Sequence, residues 1–399
     1  MNLKGSMNRA VAVLALVFGA AYASTTVTVE PWTLYAGSSI VRPRVAYPND
    51  ITCIDAAKRL PPGTYTCRGS TKIVNAGHGV AVAPPSLWPV PQPGVSDVRL
   101  QQAAVPPLPS DWEQEGAFRL ICNWSRMSYD DPIVYPGQPG MAHHHTFFGN
   151  TAIDAYTTPE NIRSKGNATC RGGTINLSGY WVPSMIDTAT GRPIAPKALL
   201  IYYKTGLWAY FNDGSVIQPI PQGLRMVVGS ASNATPESVP GVWYCGDANG
   251  NGRPGTVGPS IPTACLAGDD IRVSLDFKQC WDGKNLDSPD HKSHMAAPVQ
   301  FWTGDPQRQW RCPATHPVVL PRIGFVVQYA VPANLDTSKW RLSSDAYAGP
   351  GGYSMHADWM NGWDATISAL WGQKCMVERR DCGSANLGDG RQTSEFQGN

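Results

Sequence analysis

The sequence lacks most of the short patterns from which a catalytic or binding function is recognised. It has no P-loop and no glycine-rich turn of the kind that joins a strand to a helix in a dinucleotide fold, so no nucleotide cofactor is predicted. It also has no C-x-x-C pair and no G-x-S-x-G nucleophile elbow. These absences argue against a zinc ribbon, a thioredoxin-type site and an α/β-hydrolase.

Charged residues are scarce too, at 16% of the chain, and 32 basic against 30 acidic residues leave a net charge of +2. No long run of either sign occurs, so we predict no nucleic-acid partner. Beyond the N-terminus, no run approaches the roughly 20 apolar residues that a membrane helix needs. We therefore predict no transmembrane segment once a signal peptide has been cleaved.

Glycine and proline, by contrast, are abundant, at 40 and 35 residues. Between them lie short segments rich in β-branched and aromatic residues, which are typical of strands. The clearest segments are GAFRLICNW, GTINLSGYWVP, KALLIYYKTG, GLRMVVGS, IRVSLDFKQCW and RIGFVVQYAVP. The best helical candidate is NGWDATISALWGQKC. We predict a mainly β fold, a β-sandwich or jelly-roll-like domain with long disulfide-stabilised loops and few helices.

The N-terminus has the order of a secretory signal peptide: basic residues, a short apolar run, and small residues at Ala21 and Ala23. We predict residues 1–23 as the signal peptide, cleaved before Ser24, with an uncleaved anchor as the alternative. Residues 24–80 are then an N-terminal accessory segment, 81–114 a proline-rich linker, 115–385 the main domain and 386–399 a flexible tail. The predicted location is secreted, either extracellular or periplasmic.

Ten cysteines in an exported chain favour disulfides over thiolate metal sites. Proximity along the chain suggests Cys53 with Cys67, Cys245 with Cys265, and Cys375 with Cys382. The remaining four are predicted to pair among themselves: Cys122, Cys170, Cys280 and Cys312.

Three of the eight histidines stand side by side in PGQPGMAHHHTFFGNT. In an extended segment, His143 and His145 would lie on one face and His144 on the other. An H-x-H pair on a strand can present two imidazoles to one divalent metal ion, but a third ligand must come from elsewhere. We predict that this ligand is Asp131, His294 or His356.

Other histidines also recur beside aspartates, in SPDHKSH and MHAD, within glycine- and proline-bounded loops. A single histidine more often satisfies a turn or a buried backbone group than it catalyses, whereas the recurrence indicates a shared site. The predicted catalytic residues are His143, His145, Asp131, Asp290, His294, His356 and Asp358.

Five of these segments, in order, resemble the motifs of the DUF1996 family, a domain of unknown function in secreted fungal and bacterial proteins: YDDPIVYPGQPGMAHHHTFFGN, GYWVPSM, CWDGKNLDSPDHKSHMAAP, THPVVLPRIGF and HADWMNGWD. The resemblance covers roughly Asp130 to Cys375 and implies export, disulfides and a site built from these loops. The family pattern Ser-His-x-His falls on residues 142–145. Ala142 stands at its serine position, so a role for that hydroxyl is absent here.

Three functions fit these residue types. The first is a polysaccharide-cleaving enzyme, either a hydrolase with two carboxyl groups roughly 5–10 Å apart or a lyase that needs a base and a group to neutralise a uronate. The second is a metal-binding protein, with the ion at His143 and His145 either activating water or purely structural. The third is a non-catalytic protein that binds extracellular or cell-wall polysaccharide. The candidate substrate-binding residues are Tyr129, Trp181, Arg225, Trp281, Trp359 and Trp363, although each tryptophan could instead pack in the core.

Overall fold

The computed structural model describes residues 79–394, except 92, 112, 212, 248, 302–308, 332 and 334–335, and the backbone of three short strands before them. The predicted signal peptide lies outside the described residues, and so do the side chains of the predicted Cys53–Cys67 pair. Within the described part, no helix is long and apolar enough to cross a bilayer.

Twenty-four strands are numbered along the chain. The first twelve are β1 (Thr33–Ala36), β2 (Ser39–Ile40), β3 (Tyr65–Arg68), β4 (Leu100–Gln102), β5 (Ala117–Cys122), β6 (Trp124–Ser128), β7 (His145–Gly149), β8 (Gly179–Pro183), β9 (Met185–Asp187), β10 (Arg192–Pro193), β11 (Ala198–Lys204) and β12 (Arg225–Gly229). The others are β13 (Gly241–Gly246), β14 (Asp270–Asp276), β15 (Cys280–Trp281), β16 (Met295–Ala296), β17 (Val299–Gln300), β18 (Trp310–Arg311), β19 (Val318–Val319), β20 (Arg322–Ala330), β21 (Trp340–Leu342), β22 (His356–Met360), β23 (Asp381–Ser384) and β24 (Arg391–Thr393).

Two large sheets form the body of the fold. One has six strands in the order β13-β14-β20-β11-β5-β23, and the other has five in the order β12-β22-β8-β7-β6. All neighbours are antiparallel except β5 and β23. Each segment predicted as a strand contains one or two of these strands, so the prediction of a mainly β fold is confirmed.

The two sheets pack face to face, as their direct contacts show. The ring of Tyr180 on β8 lies 5.6 Å from that of Phe325 on β20, and the hydroxyl of Tyr180 lies 3.1 Å from that of Tyr203 on β11. These side chains belong to one large buried cluster that draws on both sheets. The apolar residues that alternate along each strand therefore meet between the layers, which makes the fold a β-sandwich.

The opposite face of the five-stranded sheet carries a second, smaller core. It is formed by Ile133, Phe147, Ile153, Ile162, Trp181 and Met360. Three of these residues come from β7, β8 and β22, and the other three come from the loops over them. Because successive side chains of a strand point to opposite faces, this sheet is covered by protein on both sides.

The predicted helix is confirmed. Helix α1 (Ala365–Trp371) begins after Asp364, whose carboxylate accepts hydrogen bonds from the first-turn amides of Thr366 and Ile367, and it continues as a π-helix over Gly372–Val377. Trp371 stacks on Phe118 of β5 at 5.0 Å between ring centroids. Four short 3-10 helices complete the described helical segments: Pro85–Leu87, Gly206–Tyr210, Pro236–Ser238 and Thr337–Lys339.

Four disulfides connect the described cysteines. Cys245–Cys265 and Cys375–Cys382 are confirmed as predicted. The four cysteines left to pair among themselves form Cys122–Cys170 and Cys280–Cys312.

The segments on either side of the main domain are held against it. The amide of Ala83 donates to the carbonyl of Gly191, and β4 pairs with β24 near the C-terminus. Thr393, within the predicted tail, is completely buried. This part of the tail therefore belongs to a sheet, while the domain boundaries at residues 80, 114 and 385 stay predictions.

Candidate metal centre

The candidate site lies on the covered outer face of the five-stranded sheet. His145 shares this face with Phe147 on β7, and His356 and Asp358 share it with Met360 on β22. Strand β8 lies between β7 and β22. The same alternation that places apolar side chains in the smaller core thus extends into a polar cluster at its edge.

Three imidazoles converge in this cluster. The Nε2 atom of His356 lies 3.1 Å from Nε2 of His143 and 3.4 Å from Nε2 of His145. The Nδ1 atoms of two rings point away from the cluster toward backbone carbonyl oxygens: His145 Nδ1 lies 2.9 Å from the oxygen of Asp130, and His356 Nδ1 lies 2.8 Å from that of Ser354. A carbonyl oxygen accepts only, so both Nδ1 atoms must carry the proton.

This arrangement leaves two lone pairs facing each other. Burial lowers the pKa of His145 to about 4 and, with the neighbouring His145, that of His356 to about 4, so both rings are neutral near pH 7. A neutral imidazole protonated at Nδ1 presents a lone pair at Nε2. Two such atoms 3.4 Å apart repel each other unless a cation or a donated proton satisfies them, and one cation can satisfy both at once. Metal-bound histidines typically donate their second N–H to a carbonyl oxygen in this way.

Two carboxyl groups complete the cluster. One ligand atom from each of Asp131, His145 and Asp358 lies within 4.8 Å of the other two, and Asp358 Oδ2 is 4.0 Å from Nε2 of His356. Asp131 accepts hydrogen bonds of 2.9 Å from the amides of Ile133 and Val134. Both carboxyls are almost completely buried.

Among the residues that the structure describes, none gives a hydrogen bond to either carboxylate oxygen of Asp358. Burial, together with the charge of Asp131, raises the pKa of Asp358 well above its usual range. Burial also raises the pKa of Asp131, although its backbone hydrogen bonds and His356 act in the opposite direction. An unpartnered buried carboxylate is costly in a protein, and a bound cation would remove that cost.

A pocket of about 230 Å³ opens onto the cluster. Its walls reach His143, His356, Asp131 and Asp358. The other lining residues are Val134, Tyr135, Val227, Gly229, Ser230, Ala231, Asp290, His291 and Lys292. His143 is only half-buried, whereas the other two histidines are buried. The cluster is therefore accessible from one side, at its His143 edge.

Comparison with known families identifies the main domain. The family model described as "Domain of unknown function (DUF1996)" matches residues 131–363, which is more than half of the chain. The chain belongs to the DUF1996 family. The match begins at Asp131 and includes all five clustered side chains. No curated protein and no solved structure matches the chain.

Five of the seven predicted catalytic residues meet in the DUF1996 cluster: Asp131, His143, His145, His356 and Asp358. Asp290 lies at the pocket wall, where its carboxylate accepts bonds from Ser288 and from the amides of Lys292 and Ser293. These bonds hold the pKa of Asp290 well below its usual range. Asp290 is therefore an ionised residue of the rim, outside the histidine group.

His294 is a correction to the predicted site. Its Nδ1 lies 2.8 Å from the hydroxyl of Ser288, and its Nε2 lies 2.7 Å from the carbonyl oxygen of Arg225. Nδ1 therefore closes the 287–294 loop on itself, Nε2 fastens the loop to β12, and His294 does not line the pocket. Arg225 likewise does not line it, since its guanidinium pairs with Asp287 at 3.5 Å.

The predicted aromatic platform is also corrected. Trp181, Trp359 and Trp363 are completely buried, so none presents a ring face on which a sugar could stack. Trp281 is half-buried and donates its indole N–H to the carbonyl oxygen of Asn285, away from the pocket walls. Tyr129 packs edge-on against His144 at 4.9 Å between ring centroids.

His144 lies apart from the cluster, as strand alternation predicts. Its ring packs against Trp88 at 4.4 Å and Tyr129, and neither ring nitrogen has a hydrogen-bond partner. Burial lowers the pKa of His144 to about 3. It therefore behaves as an apolar packing residue that anchors the 81–114 segment.

Sequence reasoning missed several pocket residues of the DUF1996 domain. His291 and Lys292 line the pocket beside the predicted Asp290, and Tyr135 lines it after Asp131. His291 has a positive φ of 58° and contacts Asp287 through Nδ1 at 3.0 Å. The signal was present in SPDHKSH, but the sequence does not show which of its side chains turn inward.

Proposed function

We propose that this DUF1996 protein is a secreted, metal-dependent enzyme that cleaves extracellular or cell-wall polysaccharide. The metal would be a divalent ion held by His143, His145, His356 and Asp358. The single observation that carries the proposal is the set of facing imidazole lone pairs beside a buried carboxylate that has no other partner. Nitrogen and carboxylate ligands of this kind suit zinc, manganese or iron(II).

The pocket supports catalysis in addition to binding. A metal with a free coordination position polarises a substrate oxygen or lowers the pKa of a bound water. The pocket reaches the cluster at His143 and His356, so a substrate group entering it would meet the metal directly. Asp131 would stay beside the ligands, oriented by two backbone amides, as a second carboxyl group.

Secretion is supported by the four disulfides of the described chain together with the predicted signal peptide. Disulfides persist in oxidising compartments and are rare in the cytosol. Polysaccharide is proposed because it is the abundant polymeric substrate outside cells and because the pocket walls carry hydroxyl, carboxylate and ammonium groups.

The first prediction concerns metal content. We expect the purified protein to contain about one divalent metal ion per chain and to lose both metal and turnover on chelation. The measurements are elemental analysis and a screen on cell-wall glycans that detects both new reducing ends and unsaturated uronates. Both hydrolase and lyase products give new reducing ends, but only a lyase gives the ultraviolet absorbance of the unsaturated sugar.

The control for that screen is a variant with His143→Ala plus His145→Ala. Absence of metal and turnover on a broad glycan panel, with unchanged behaviour of this variant, would sink the enzyme proposal.

A structural metal site is the second candidate, and one observation favours it. His145, His356, Asp131 and Asp358 are all buried, which is typical of ions that tie strands together. In that case the metal-loaded protein would melt at a higher temperature than the metal-free protein but turn over no glycan. A glycan-binding protein without catalysis would give the same null turnover with measurable polysaccharide affinity.

The second prediction concerns Asp358→Asn. We expect the metal-free variant to be more stable than the metal-free parent by about 1–3 kcal/mol, because a buried carboxyl group that is costly to ionise and has no hydrogen-bond partner is replaced by a neutral amide of the same shape. The same change removes an anionic ligand, so metal affinity should fall. Thermal melting with chelator and with saturating metal measures both effects.

Asp290→Asn serves as the matched control, because its carboxylate is exposed and hydrogen-bonded. It should not stabilise the metal-free protein. If Asp358→Asn lowered the stability of the metal-free form and left metal affinity unchanged, Asp358 would not be a ligand.

A further inference from the structure

Lys292 brings a fixed positive charge into the pocket beside the cluster. Among the described residues that line this pocket, it is the only lysine or arginine. Its backbone amide donates to Asp290 at 3.1 Å, and its ammonium donates to the carbonyl oxygen of Gly229 at 2.5 Å. Lys292 is therefore held both at its backbone amide and at its ammonium group.

The anchor point of that ammonium lies next to the candidate metal ligands. Gly229 is paired with His356 across β12 and β22, and Val227, two residues earlier, is paired with Asp358. Lys292 therefore places its ammonium beside the strand pair that carries both of these candidate ligands.

Gly229 itself stands where the backbone has no room for a side chain. It has a positive φ of 83°, and a Cβ atom there would stand 2.4 Å from the carbonyl oxygen of Met355. A side chain at this position would therefore strain the strand. The carbonyl oxygen of Gly229 on β12 accepts the Lys292 ammonium at the edge of the pocket.

The ammonium keeps binding capacity. It has three N–H donors, and the Gly229 carbonyl oxygen is the acceptor that the structure gives it. The nearby Asp290 carboxylate accepts three hydrogen bonds from its own loop through Oδ1. Asp131 and Asp358 lie beside the histidines, where their negative charge would offset the positive charge of a metal ion.

We propose that the pocket takes a carboxylate-bearing sugar, a uronate, whose carboxylate lies between the metal and the Lys292 ammonium. This inference rests on the proposed function, since it names the substrate class of the same site. A carboxylate is both a metal ligand and a strong acceptor from an ammonium group. A neutral sugar would offer the Lys292 ammonium no charged group of its own.

Lys292, rather than the candidate substrate-binding residue Arg225, is then the cation that meets the uronate carboxylate. The guanidinium of Arg225 is engaged with Asp287 and lies outside the pocket walls. Of these two residues, only Lys292 lines the pocket, where a ligand carboxylate could reach both its ammonium and the histidine cluster.

The test compares acidic polysaccharides with their own methyl esters on the metal-loaded protein. Polygalacturonate and alginate, each with free and with esterified carboxylates, present the same backbone with and without charge. We expect the free acid of at least one pair to bind about tenfold or more tightly than its ester at low ionic strength. Calorimetry or affinity electrophoresis measures this preference without requiring turnover.

Three variants locate the preference. Lys292→Met is expected to lose it with metal content unchanged, and Lys292→Arg to retain part of it. Lys284→Met is the matched control, because Lys284 is exposed in a neighbouring loop outside the pocket and its replacement changes the net charge equally.

Two results would overturn the inference: equal binding of acid and ester by the unaltered protein across all pairs, or an acid preference that Lys292→Met keeps. Equal binding by the unaltered protein would overturn the inference without any measurement on the variants. Failure of the proposed function is separate, because it would appear as a protein without metal or as a metal-loaded protein that turns over no glycan.

Discussion

Replacing His145 with alanine is expected to lower metal affinity by at least about 100-fold and to abolish polysaccharide cleavage. Losing a group that merely supports a metal ligand typically costs 10- to 100-fold in affinity, so loss of a ligand should cost no less. His145 is completely buried, and its Nδ1–H is held by the carbonyl oxygen of Asp130, so its Nε2 is directed into the cluster. Metal per chain after dialysis and turnover on the responsive glycan are the measurements.

The neighbouring histidine provides a stringent control. His144 is equally buried but makes no hydrogen bond, and it packs between Trp88 and Tyr129. His144→Leu should therefore keep the metal and the fold, because apolar replacement of an unpartnered buried polar group is close to neutral. Equal metal loss in both variants would show that the effect comes from general disruption.

Removing the Cys122–Cys170 disulfide is expected to produce the largest loss of stability among single-disulfide deletions. The bridge closes a loop with a sequence separation of 48 residues, for which the chain-entropy model gives about 4 kcal/mol. It also fastens the last residue of β5 to the segment that follows β7. The measurement is the free energy of unfolding of a variant with both cysteines changed to alanine, from denaturant titration.

Cys375–Cys382 gives the internal comparison, because its sequence separation is only 7 residues. The same model predicts a loss of about 2.5 kcal/mol for that pair. If the short loop proved as costly as the long one, packing around the sulfur atoms would have to dominate over chain entropy.

Much of the fold could be predicted because its strands are chemically regular. The segments KALLIYYKTG and RIGFVVQYAVP alternate inward and outward residues, and they form β11 and β20 side by side in the larger sheet. The helix lies within the segment NGWDATISALWGQKC that was predicted to form it, and Asp364 caps its first turn. Pairing between β4 and β24 left no such signal, because three-residue strands far apart in sequence carry no periodicity of their own.

The part of the site that lies on a single extended segment could be predicted from the sequence. Alternation alone separates His143 and His145 from His144, and the structure has that separation. The position of the third histidine could be predicted only from the strand order. His356 meets the pair because a single strand, β8, separates β22 from β7. The sequence gives no reason to prefer Asp131, His294 or His356 as the further ligand. The folded sheet brings Asp131 and His356 into the cluster and leaves His294 outside it.

The aromatic predictions failed for a physical reason. Tryptophan serves equally well as a sugar platform and as core packing, and burial decides between the two roles. Trp181 and Trp359 occupy neighbouring strands of a sheet that is covered on both faces, so both are enclosed. If only one face of that sheet were apolar, tryptophans on its other face would be expected to be exposed.

The position of the cluster within the sheet has a consequence for how the protein matures. His145 and His356 are separated by 211 residues and stand on strands that flank β8, so their side chains meet only after the five-stranded sheet has been assembled. Contacts of such long range form late and slowly. An ion bound there would stabilise the finished sheet over every incomplete one, by an amount set by its concentration relative to its dissociation constant. Metal supply during folding would then affect the yield of native protein, independently of any substrate.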